Sequence, residues 1–364
     1  MSGRPTGTLA YLASPGDVEI REYEVPEPEP GAVLTEVEQA NVCGSELHIW
    51  RGFHPEVKEG VLGHEAVCRI AELGDGVETD FAGRPVEEGD LIAPAYFLTC
   101  RRCPACQEGQ FHLCENVYRH WSKPPEEPPH FHGTFATHYY VHPGQYFYRL
   151  PEGLDPGIAA AANCALSQML FGLDQVGVDD GDTVVVQGAG GLGLNALAVA
   201  TERGAETVVV EGVDGRIDRA RAFGADHVVD FRTFDTVDAR VERVRELTDG
   251  VGADVGVEVA GVPDAFAEGV RLLRDGGRFL EVGNVNPGHT TEFDPGTLTR
   301  KAVTIVPVIR YDPWYLRRAL EFLADHAEEY PYADLVDAHF DLVDVDEALQ
   351  RSDSREVTRA ALHP

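Results

Sequence analysis

Residues Thr183–Gly193, TVVVQGAGGLG, decide the fold of the middle of this chain. A short β-branched run leads directly into the pattern Gly-x-Gly-x-x-Gly, and an alanine-rich stretch typical of a helix continues to about Arg203. A strand, a glycine turn and a helix in this order form a dinucleotide-binding motif, because the backbone can approach the pyrophosphate at the helix N-terminus. We therefore assign five residues to cofactor binding: Gly188, Gly190, Gly191, Leu192 and Gly193.

The alternation of strand-like and helix-like stretches continues downstream of this turn. The further predicted strands are Thr207–Glu211, His227–Val229, Ala253–Val259 and Gly277–Gly283. The predicted helices between them are Asp214–Phe223, Arg240–Thr248 and Pro263–Leu273. Strands that alternate with helices of this length predict a parallel sheet with right-handed crossovers. Residues 155–295 are therefore expected to form a doubly wound Rossmann domain.

The flanking parts of the chain follow a different pattern. Residues 1–154 contain short apolar runs between Gly/Pro turns, which favours a mostly antiparallel or barrel-like domain. After residue 295 the sequence predicts a strand over Ala302–Val308 and a helix over Pro313–Ala324. This tail is too short for a third domain, so residues 296–364 are expected to complete the first one.

The net charge excludes several classes of partner. The 364 residues include 62 acidic and 30 basic side chains, a formal net charge of −32. A polyanion repels nucleic acid and anionic membrane surfaces. No apolar run reaches the ~20 residues of a membrane span, and residues 1–16 do not resemble a signal peptide. We expect a cytoplasmic protein.

The acidic excess also suggests an environment. Only Lys58, Lys123 and Lys301 are lysines. Molar salt screens the self-repulsion of such a surface. The composition predicts a halophilic protein, as in salt-adapted archaea; an ordinary acidic protein is the alternative.

Four cysteines form a compact cluster in the first domain. Cys100, Cys103, Cys106 and Cys114 follow the spacing C-x2-C-x2-C-x7-C. Four thiolates close a tetrahedral zinc site with no open position, which is typical of structural zinc. An iron–sulfur cluster needs the same ligands, and a disulfide pair is a further alternative that a cytoplasmic chain disfavours. The expected zinc lobe covers about residues 96–116.

A second set of potential ligands is dispersed. Cys43 and His48 lie in CGSELH, His64 and Glu65 follow Gly63, and Cys164 lies in NCALS. Each alone is most simply a core or surface residue. Two thiolates and one imidazole would give zinc three ligands and an open fourth position, which is the arrangement of catalytic zinc. The remaining cysteine, Cys68, is predicted to lie in the core.

These motifs together resemble the zinc-dependent medium-chain alcohol dehydrogenases. CGSELH is similar to the family's Cys-x-Thr/Ser-Asp/Glu-x-His motif, Leu62–Glu65 to its LGHE, the cysteine quartet to its structural-zinc lobe, and Gly188–Gly193 to its nucleotide turn. The resemblance runs in order over most of the chain. It implies a GroES-like catalytic domain, a Rossmann domain, two Zn²⁺ per chain and a nicotinamide cofactor.

The resemblance also implies roles for individual residues. Catalytic zinc on Cys43, His64 and Cys164 would acidify the hydroxyl of an alcohol, which then gives hydride to the nicotinamide. Ser45 would take the hydroxyl proton and pass it through the cofactor ribose to His48 at the surface. The alternatives are a turn hydroxyl for Ser45 and an exposed helix residue for His48. Glu65 would ligate zinc transiently or neutralise nearby charge. Residues flanking the nicotinamide would include Val259, Val282 and Asn284.

Glu211 bears on cofactor choice. It ends the second predicted strand, where a carboxylate binds both adenosine ribose hydroxyls and repels a 2′-phosphate. NAD is therefore favoured over NADP. Arg216 could instead stack on adenine, meet a 2′-phosphate or lie on the surface. The resemblance also implies a homo-dimer or homo-tetramer that pairs edge strands, expected around Arg278–Val282.

Two departures from the family pattern touch the site: Glu46 replaces the usual Asp, and Gln168 stands where Thr is frequent. The loop Tyr118–His132 shapes the substrate pocket or is a surface loop. Trp50, Phe97 and Trp121 either line the substrate pocket or belong to the ordinary core. The substrate is expected to be an apolar alcohol or its aldehyde or ketone. The alternatives are a polyol or sugar, an NADP-linked aldehyde reduction, and a non-catalytic nucleotide binder.

Overall fold

The computed structural model describes residues 3–54, 57–121, 123–285 and 287–364. Predictions for the N-terminus and the 118–132 loop fall partly on Met1, Ser2 and Ser122, which lie outside the described residues. Contacts divide the chain into two compact units, Met1–Cys164 with Asp312–Pro364, and Ala165–Tyr311.

Both unit boundaries lie downstream of the positions expected after residues 154 and 295. The 3-10 helix Ala160–Asn163 contacts strands of the first unit, which keeps residues up to 164 there. The strand Thr304–Pro307 hydrogen-bonds to the sheet of the second unit, so that unit continues to Tyr311. Tertiary contacts, rather than a change in sequence pattern, set the two boundaries.

The first unit is mostly β-structure. Its strands are β1 (Thr6–Ser14), β2 (Asp17–Glu24), β3 (Val33–Asn41), β4 (Gly60–Val61), β5 (Glu65–Leu73), β6 (Leu91–Pro94), β7 (His138–Val141), β8 (Phe147–Arg149), β15 (Ala338–Asp341) and β16 (Ala360–His363). They form a three-stranded sheet, β2-β1-β4, and a seven-stranded sheet, β15-β16-β3-β5-β6-β8, in which β7 also pairs with β3. The two C-terminal strands β15 and β16 thus complete this unit.

Short helices connect the strands of the first unit. They are α1 (Gly44–Trp50), α2 (Pro104–Gln107), α3 (Pro156–Ala159), α10 (Tyr315–His326) and α11 (Val345–Asp353), with 3-10 segments at Phe111–Leu113, Ala160–Asn163, Tyr332–Leu335 and Leu342–Asp344. The core contains alternate residues of β3 and β5, including Cys68, which is fully buried. The prediction that Cys68 is a core residue is confirmed.

The second unit is a doubly wound parallel sheet. Its strands are β9 (Thr183–Gln187), β10 (Glu206–Glu211), β11 (His227–Asp230), β12 (Ala253–Glu258), β13 (Leu273–Glu281) and β14 (Thr304–Pro307). Its helices are α4 (Ala165–Val176), α5 (Gly191–Glu202), α6 (Asp214–Ala222), α7 (Val237–Leu247), α8 (Pro263–Leu272) and α9 (Pro295–Lys301). All strands are parallel in the order β11-β10-β9-β12-β13-β14. The strand order reverses at β9, and ligands bind at such a switch point.

The expected edge strand is wrong. Residues 278–281 belong to β13, which pairs with β12 on one side and with β14 on the other. Among the described residues, the outer strands of this sheet are β11 and β14. The sequence predicted a strand over Ala302–Val308 but could not show that it extends this sheet.

No single helix of the described residues is long and apolar enough to cross a membrane. Two consecutive segments, Pro156–Asn163 and Ala165–Val176, are long and apolar enough only when taken together, and they are bent by 48° relative to each other.

Candidate metal and cofactor sites

Four potential metal ligands from distant parts of the chain meet in the first unit. They are Cys43, His64, Glu65 and Cys164, and their ligand atoms all lie within 4.8 Å of one another. Cys43 is the N-cap of α1, Glu65 opens β5, and Cys164 follows a 3-10 helix. Tetrahedral zinc bonded at 2.0–2.3 Å separates its ligand atoms by about 3.3–3.8 Å. Both the donor chemistry and the spacing therefore fit zinc.

A side-chain hydrogen bond couples the two thiols of this cluster. The hydrogen bond with Cys164 lowers the pKa of Cys43 well below its usual range, although burial opposes ionisation. The same bond, together with burial and the Cys43 charge, raises the pKa of Cys164 well above its usual range. The protein alone thus stabilises one thiolate here. A divalent cation bound here would supply the charge that lets the second thiol ionise.

Glu46 fixes the orientation of His64. Its Oε1 contacts His64 Nδ1, and its Oε2 accepts a hydrogen bond from the Cys43 backbone N–H at 3.1 Å. Burial raises the pKa of Glu46. Burial would lower the pKa of His64, but Glu46 and Cys43 raise it well above its usual range. Because Nδ1 is engaged by the carboxylate, Nε2 is the nitrogen left to ligate a metal. The longer glutamate still reaches both partners.

Glu65 has one paired and one unpaired oxygen. Its Oε2 accepts a hydrogen bond from Arg359 Nη1 at 2.7 Å, and both side chains are buried. Its Oε1 is buried and has no hydrogen-bond partner among the described residues. A buried carboxylate oxygen without a donor, beside three other ligands, is the atom a cation would satisfy. Sequence reasoning missed Arg359, which lies 294 residues from Glu65.

The structure places Ser45 beside one of the two thiols. Ser45 Oγ lies 3.7 Å from Cys43 Sγ. His48 is one turn further along α1 and half-buried, and burial lowers its pKa. Ser45 and His48 are three residues apart and therefore share a face of α1. This arrangement is compatible with the expected proton path, and the roles of the two residues in it stay a prediction.

Aromatic rings surround His64. The rings of Tyr96 and Trp121 lie 5.0 and 5.3 Å from its imidazole. Trp121 Nε1 donates to the backbone oxygen of Val61 at 3.1 Å, which fixes the indole. Phe97 is buried, whereas Trp50 is partly exposed on α1. The 118–132 loop therefore contributes at least Trp121 to the surroundings of the metal ligands.

The cysteine quartet is a second four-donor cluster. The sulfurs of Cys100, Cys103, Cys106 and Cys114 all lie within 4.8 Å of one another. All seven cysteines have free thiols, so the disulfide alternative is not observed. Burial opposes ionisation of Cys100, but the backbone N–H groups of Arg102 and Cys103 lower its pKa to about 6. N–H groups directed at a thiolate are expected in a four-sulfur metal site, and zinc remains the metal we predict.

The glycine turn has the predicted form. It follows β9, and Gly190 is the N-cap of α5. A Cβ on Gly193 would collide with the backbone oxygen of Gly188, so the helix can lie this close to the turn only without a side chain. The backbone N–H groups at this helix N-terminus form an anion site suited to a pyrophosphate.

Glu211 is tied to this turn. Its Oε2 accepts from the backbone N–H of Ala189 at 3.1 Å, and its Oε1 accepts from Gly212 and Val213 at 2.7 and 3.1 Å. Arg216 Nη1 lies 3.7 Å from Glu211 Oε2. The Glu211 side chain is nearly fully buried. The Glu211 carboxylate is thus held beside the glycine turn, with the Arg216 guanidinium near it.

Three other predicted cofactor residues follow the next strands. Val259 comes directly after β12, and Val282 and Asn284 follow β13. Gln168, on α4, is buried, and its Nε2 lies 3.5 Å from the backbone oxygen of Val308. The structure therefore places Val259, Val282 and Asn284 after the carboxyl ends of parallel strands, where α/β sheets bind ligands.

Comparison with known proteins gives consistent matches. Residues 29–152 match the alcohol dehydrogenase GroES-like domain, and residues 191–325 match the zinc-binding dehydrogenase family. The chain is 35% identical to 5-exo-hydroxycamphor dehydrogenase of Pseudomonas putida over 94% of both chains. It is 33% identical to L-threonine 3-dehydrogenase of Pyrococcus horikoshii over 82% of both. A solved alcohol dehydrogenase of Thermotoga maritima aligns with a TM-score of 0.93 and 28% identity, over 99% of this chain and 100% of that one.

Proposed function

The chain belongs to the zinc-dependent medium-chain alcohol dehydrogenases, and on that premise we propose that it oxidises an apolar alcohol with NAD and holds two zinc ions. Its reaction class is that of its family, an oxidoreductase of alcohols or polyols. The observation that carries the proposal is the cluster of Cys43, His64, Glu65 and Cys164, which combines thiol and imidazole donors with an unpaired buried oxygen.

The residues of the cluster and Glu46 would hold and orient one zinc ion. Cys43, His64 and Cys164 hold the catalytic zinc, while Glu46 keeps the His64 imidazole oriented. When bound, zinc supplies Lewis acidity that lowers the pKa of a hydroxyl, and the nicotinamide accepts a hydride.

The proton leaves through the chain's own side chains. Ser45 Oγ accepts the hydroxyl proton of the substrate as it donates its own O–H proton onward, and His48 delivers a proton to solvent. Arg359 holds the Glu65 carboxylate in place, with its second oxygen free to face the metal. The cysteine quartet holds the other zinc and shapes its own lobe.

The side chains around His64 support an apolar substrate. Tyr96 and Trp121 present aromatic rings beside the ligands. A polyol would need several hydrogen-bond partners at this place, because each buried hydroxyl without a partner costs about 1–3 kcal/mol. A bulky apolar secondary alcohol would bury its carbons against these rings instead.

An alcohol panel tests the proposal. Metal-loaded protein in molar KCl is supplied with NAD and with cyclic secondary alcohols, linear primary alcohols or sorbitol, and NADH formation is followed by absorbance. We expect kcat/KM to be highest for the cyclic alcohols and at least about tenfold lower for sorbitol, equivalent to one unpaired hydroxyl. A preference for sorbitol would instead assign a polyol dehydrogenase. Tight NAD binding with no turnover on the whole panel would support a non-catalytic binder.

Cofactor choice is tested at Glu211. We expect the wild type to prefer NAD, and Glu211→Gln to raise kcat/KM with NADP by about tenfold, because one repulsive charge beside the 2′-phosphate is removed. The same variant should lose activity with NAD. Arg216→Gln is the matched comparison. If the wild type prefers NADP, and Arg216→Gln lowers the activity with NADP, the assignment to NAD is wrong.

For assembly, we propose a homo-dimer or homo-tetramer formed through β14. Among the described residues, no strand pairs with the outer side of β14. Such an edge invites pairing with an identical strand.

A further inference from the structure

Three polar side chains end neighbouring strands in the sheet of the second unit. Gln187 of β9 is in register with Glu258 of β12, and Glu258 is in register with Glu281 of β13. Side chains in register on adjacent strands share a face of the sheet. Glu258 is fully buried and Gln187 nearly so. Two carboxyl groups therefore lie side by side in the protein at the carboxyl end of the sheet.

The two carboxyl groups tie together the loops that follow their strands. Glu258 Oε1 accepts from the backbone N–H of Gly261 at 2.8 Å, and Glu258 Oε2 accepts from Asn284 Nδ2 at 3.0 Å. Asn284 Nδ2 also donates to Glu281 Oε1 at 2.9 Å. Residues 259–262 and residues 282–285 are thereby connected through side chains. A Cβ on Gly283 would come within 2.6 Å of both Glu258 Oε2 and the Gly261 nitrogen, so the loops are also in close contact.

This group is short of hydrogen-bond donors. Glu281 Oε2 is buried and has no donor among the described residues, and the same holds for Gln187 Oε1. The Glu281 side chain is nevertheless within hydrogen-bonding reach of Glu258. Two carboxyl groups can form a hydrogen bond only when one of them carries a proton. A proton between them would give Glu281 Oε2 the partner that it lacks.

None of the described ion pairs includes Glu258 or Glu281. On α8, Asp264 accepts from Thr291, and Glu268 is ion-paired with Arg240. The cations of α9 are Arg300 and Lys301, and Lys301 donates to backbone oxygens at the start of β13. β14, with the sequence TIVP, has no titratable side chain, and β9 offers only the neutral Gln187.

We propose that Glu258 and Glu281 share one proton, and that this shared proton fastens together the two loops expected to flank the nicotinamide. The inference rests on the proposed nicotinamide-dependent function. When the proton leaves to water, both carboxylates are negative and repel each other at short range. The loops then separate, and the nicotinamide end of the cofactor loses its preformed site. Glu258 and Glu281 are positioning residues, since they act through the loops.

The transition falls near neutral pH. Burial, followed by the charge of Glu281, raises the pKa of Glu258 to about 7. Glu258 is thus mostly protonated below about pH 7 and mostly ionised above it. Cofactor binding that prefers the protonated pair must weaken as the pH rises through this range.

The test is a pH series of cofactor affinity on the full, metal-loaded chain at constant molar KCl. NADH is titrated by fluorescence from pH 6 to pH 9, and ADP-ribose, which lacks the nicotinamide, is titrated by calorimetry. We expect the dissociation constant of NADH to rise by about tenfold, the size of a one-unit shift in a linked pKa. The affinity for ADP-ribose should not change. Equal pH dependence of both ligands would overturn the proposal.

Two variants make the test specific. Glu281→Gln replaces the shared proton by an amide N–H donor, so NADH should bind with the same affinity at pH 6 and pH 9. Glu246→Gln removes the same charge at an exposed position of α7, and should keep the pH dependence of the wild type. If Glu281→Gln also keeps it, the proposal is wrong.

Infrared spectroscopy separates this proposal from the proposed function. The carbonyl band of a protonated carboxyl group should titrate near neutral pH in the wild type and be absent from Glu281→Gln. If the chain bound neither NADH nor ADP-ribose, the proposed function would fail, while the band would still decide whether the proton is shared. If this band is absent from the wild type, the proposal that the two carboxyl groups share a proton is wrong.

Discussion

Replacing Cys164 by alanine is expected to remove one of two zinc ions per chain and to lower alcohol oxidation by at least about a thousandfold. Lewis-acid stabilisation by a metal is worth several kcal/mol, and each 1.36 kcal/mol is a factor of ten. As a proposed ligand, Cys164 would supply one of two thiolates that together neutralise the +2 charge of zinc. Metal content is measured by elemental analysis after dialysis, and turnover with NAD and the best alcohol of the panel.

Two further variants define what this result means. Cys68→Ala removes a buried thiol from the core outside both clusters, and should keep two zinc ions and wild-type turnover. Glu65 could replace the lost ligand, because its Oε1 is unpaired and close to the other donors. If Cys164→Ala retains weakly bound zinc, the double variant with Glu65→Gln should lose it. Unchanged metal content and turnover in Cys164→Ala would mean that Cys164 is not a ligand.

Local sequence signals predicted the framework of the second unit well. The strand Thr183–Gln187 has the bounds that its β-branched run indicated, and the glycine turn begins the helix as expected. Each of these features depends on residues close together in the chain. β13 begins at Leu273 rather than at Gly277, because parallel pairing with β12 extends it through a polar stretch without β propensity.

Features that depend on strand order could not be predicted in this way. The pairing of β14 with β13 made the expected edge strand an inner one. The Glu258–Glu281 contact exists only because β12 and β13 are neighbours in a fixed register. Arg359 reaches Glu65 because β16 pairs with β3, which in turn pairs with β5. Sequence spacing carries no information on such contacts, whereas the proposed ligands Cys43, His64 and Cys164 were inferred from motif resemblance.

Transfer from 2 M to 0.1 M KCl is expected to lower the midpoint of thermal unfolding by about 10 °C or more. The chain carries a formal net charge of −32. The Debye length is about 3 Å at 1 M salt and about 10 Å at 0.1 M, so neighbouring surface carboxylates repel one another only at the lower concentration. The unfolded chain separates these charges and is relieved of the repulsion. A loss of a few kcal/mol corresponds to a shift of this size.

Thermal unfolding followed by circular dichroism, at several KCl concentrations, measures this effect. NaCl should replace KCl fully, because screening depends on ionic strength and not on the cation. Sucrose stabilises folded proteins through exclusion from their surface, without screening charges. If the acidic surface is the cause, sucrose at 0.1 M KCl should recover only a small part of the lost stability. Complete recovery in sucrose would assign the salt effect to solvent exclusion, and a midpoint independent of salt would make this an ordinary acidic protein. Repulsion among carboxylates predicts neither of these outcomes. It predicts that the midpoint of unfolding depends on ionic strength alone, and that it rises steeply as the Debye length falls toward the spacing of the surface charges.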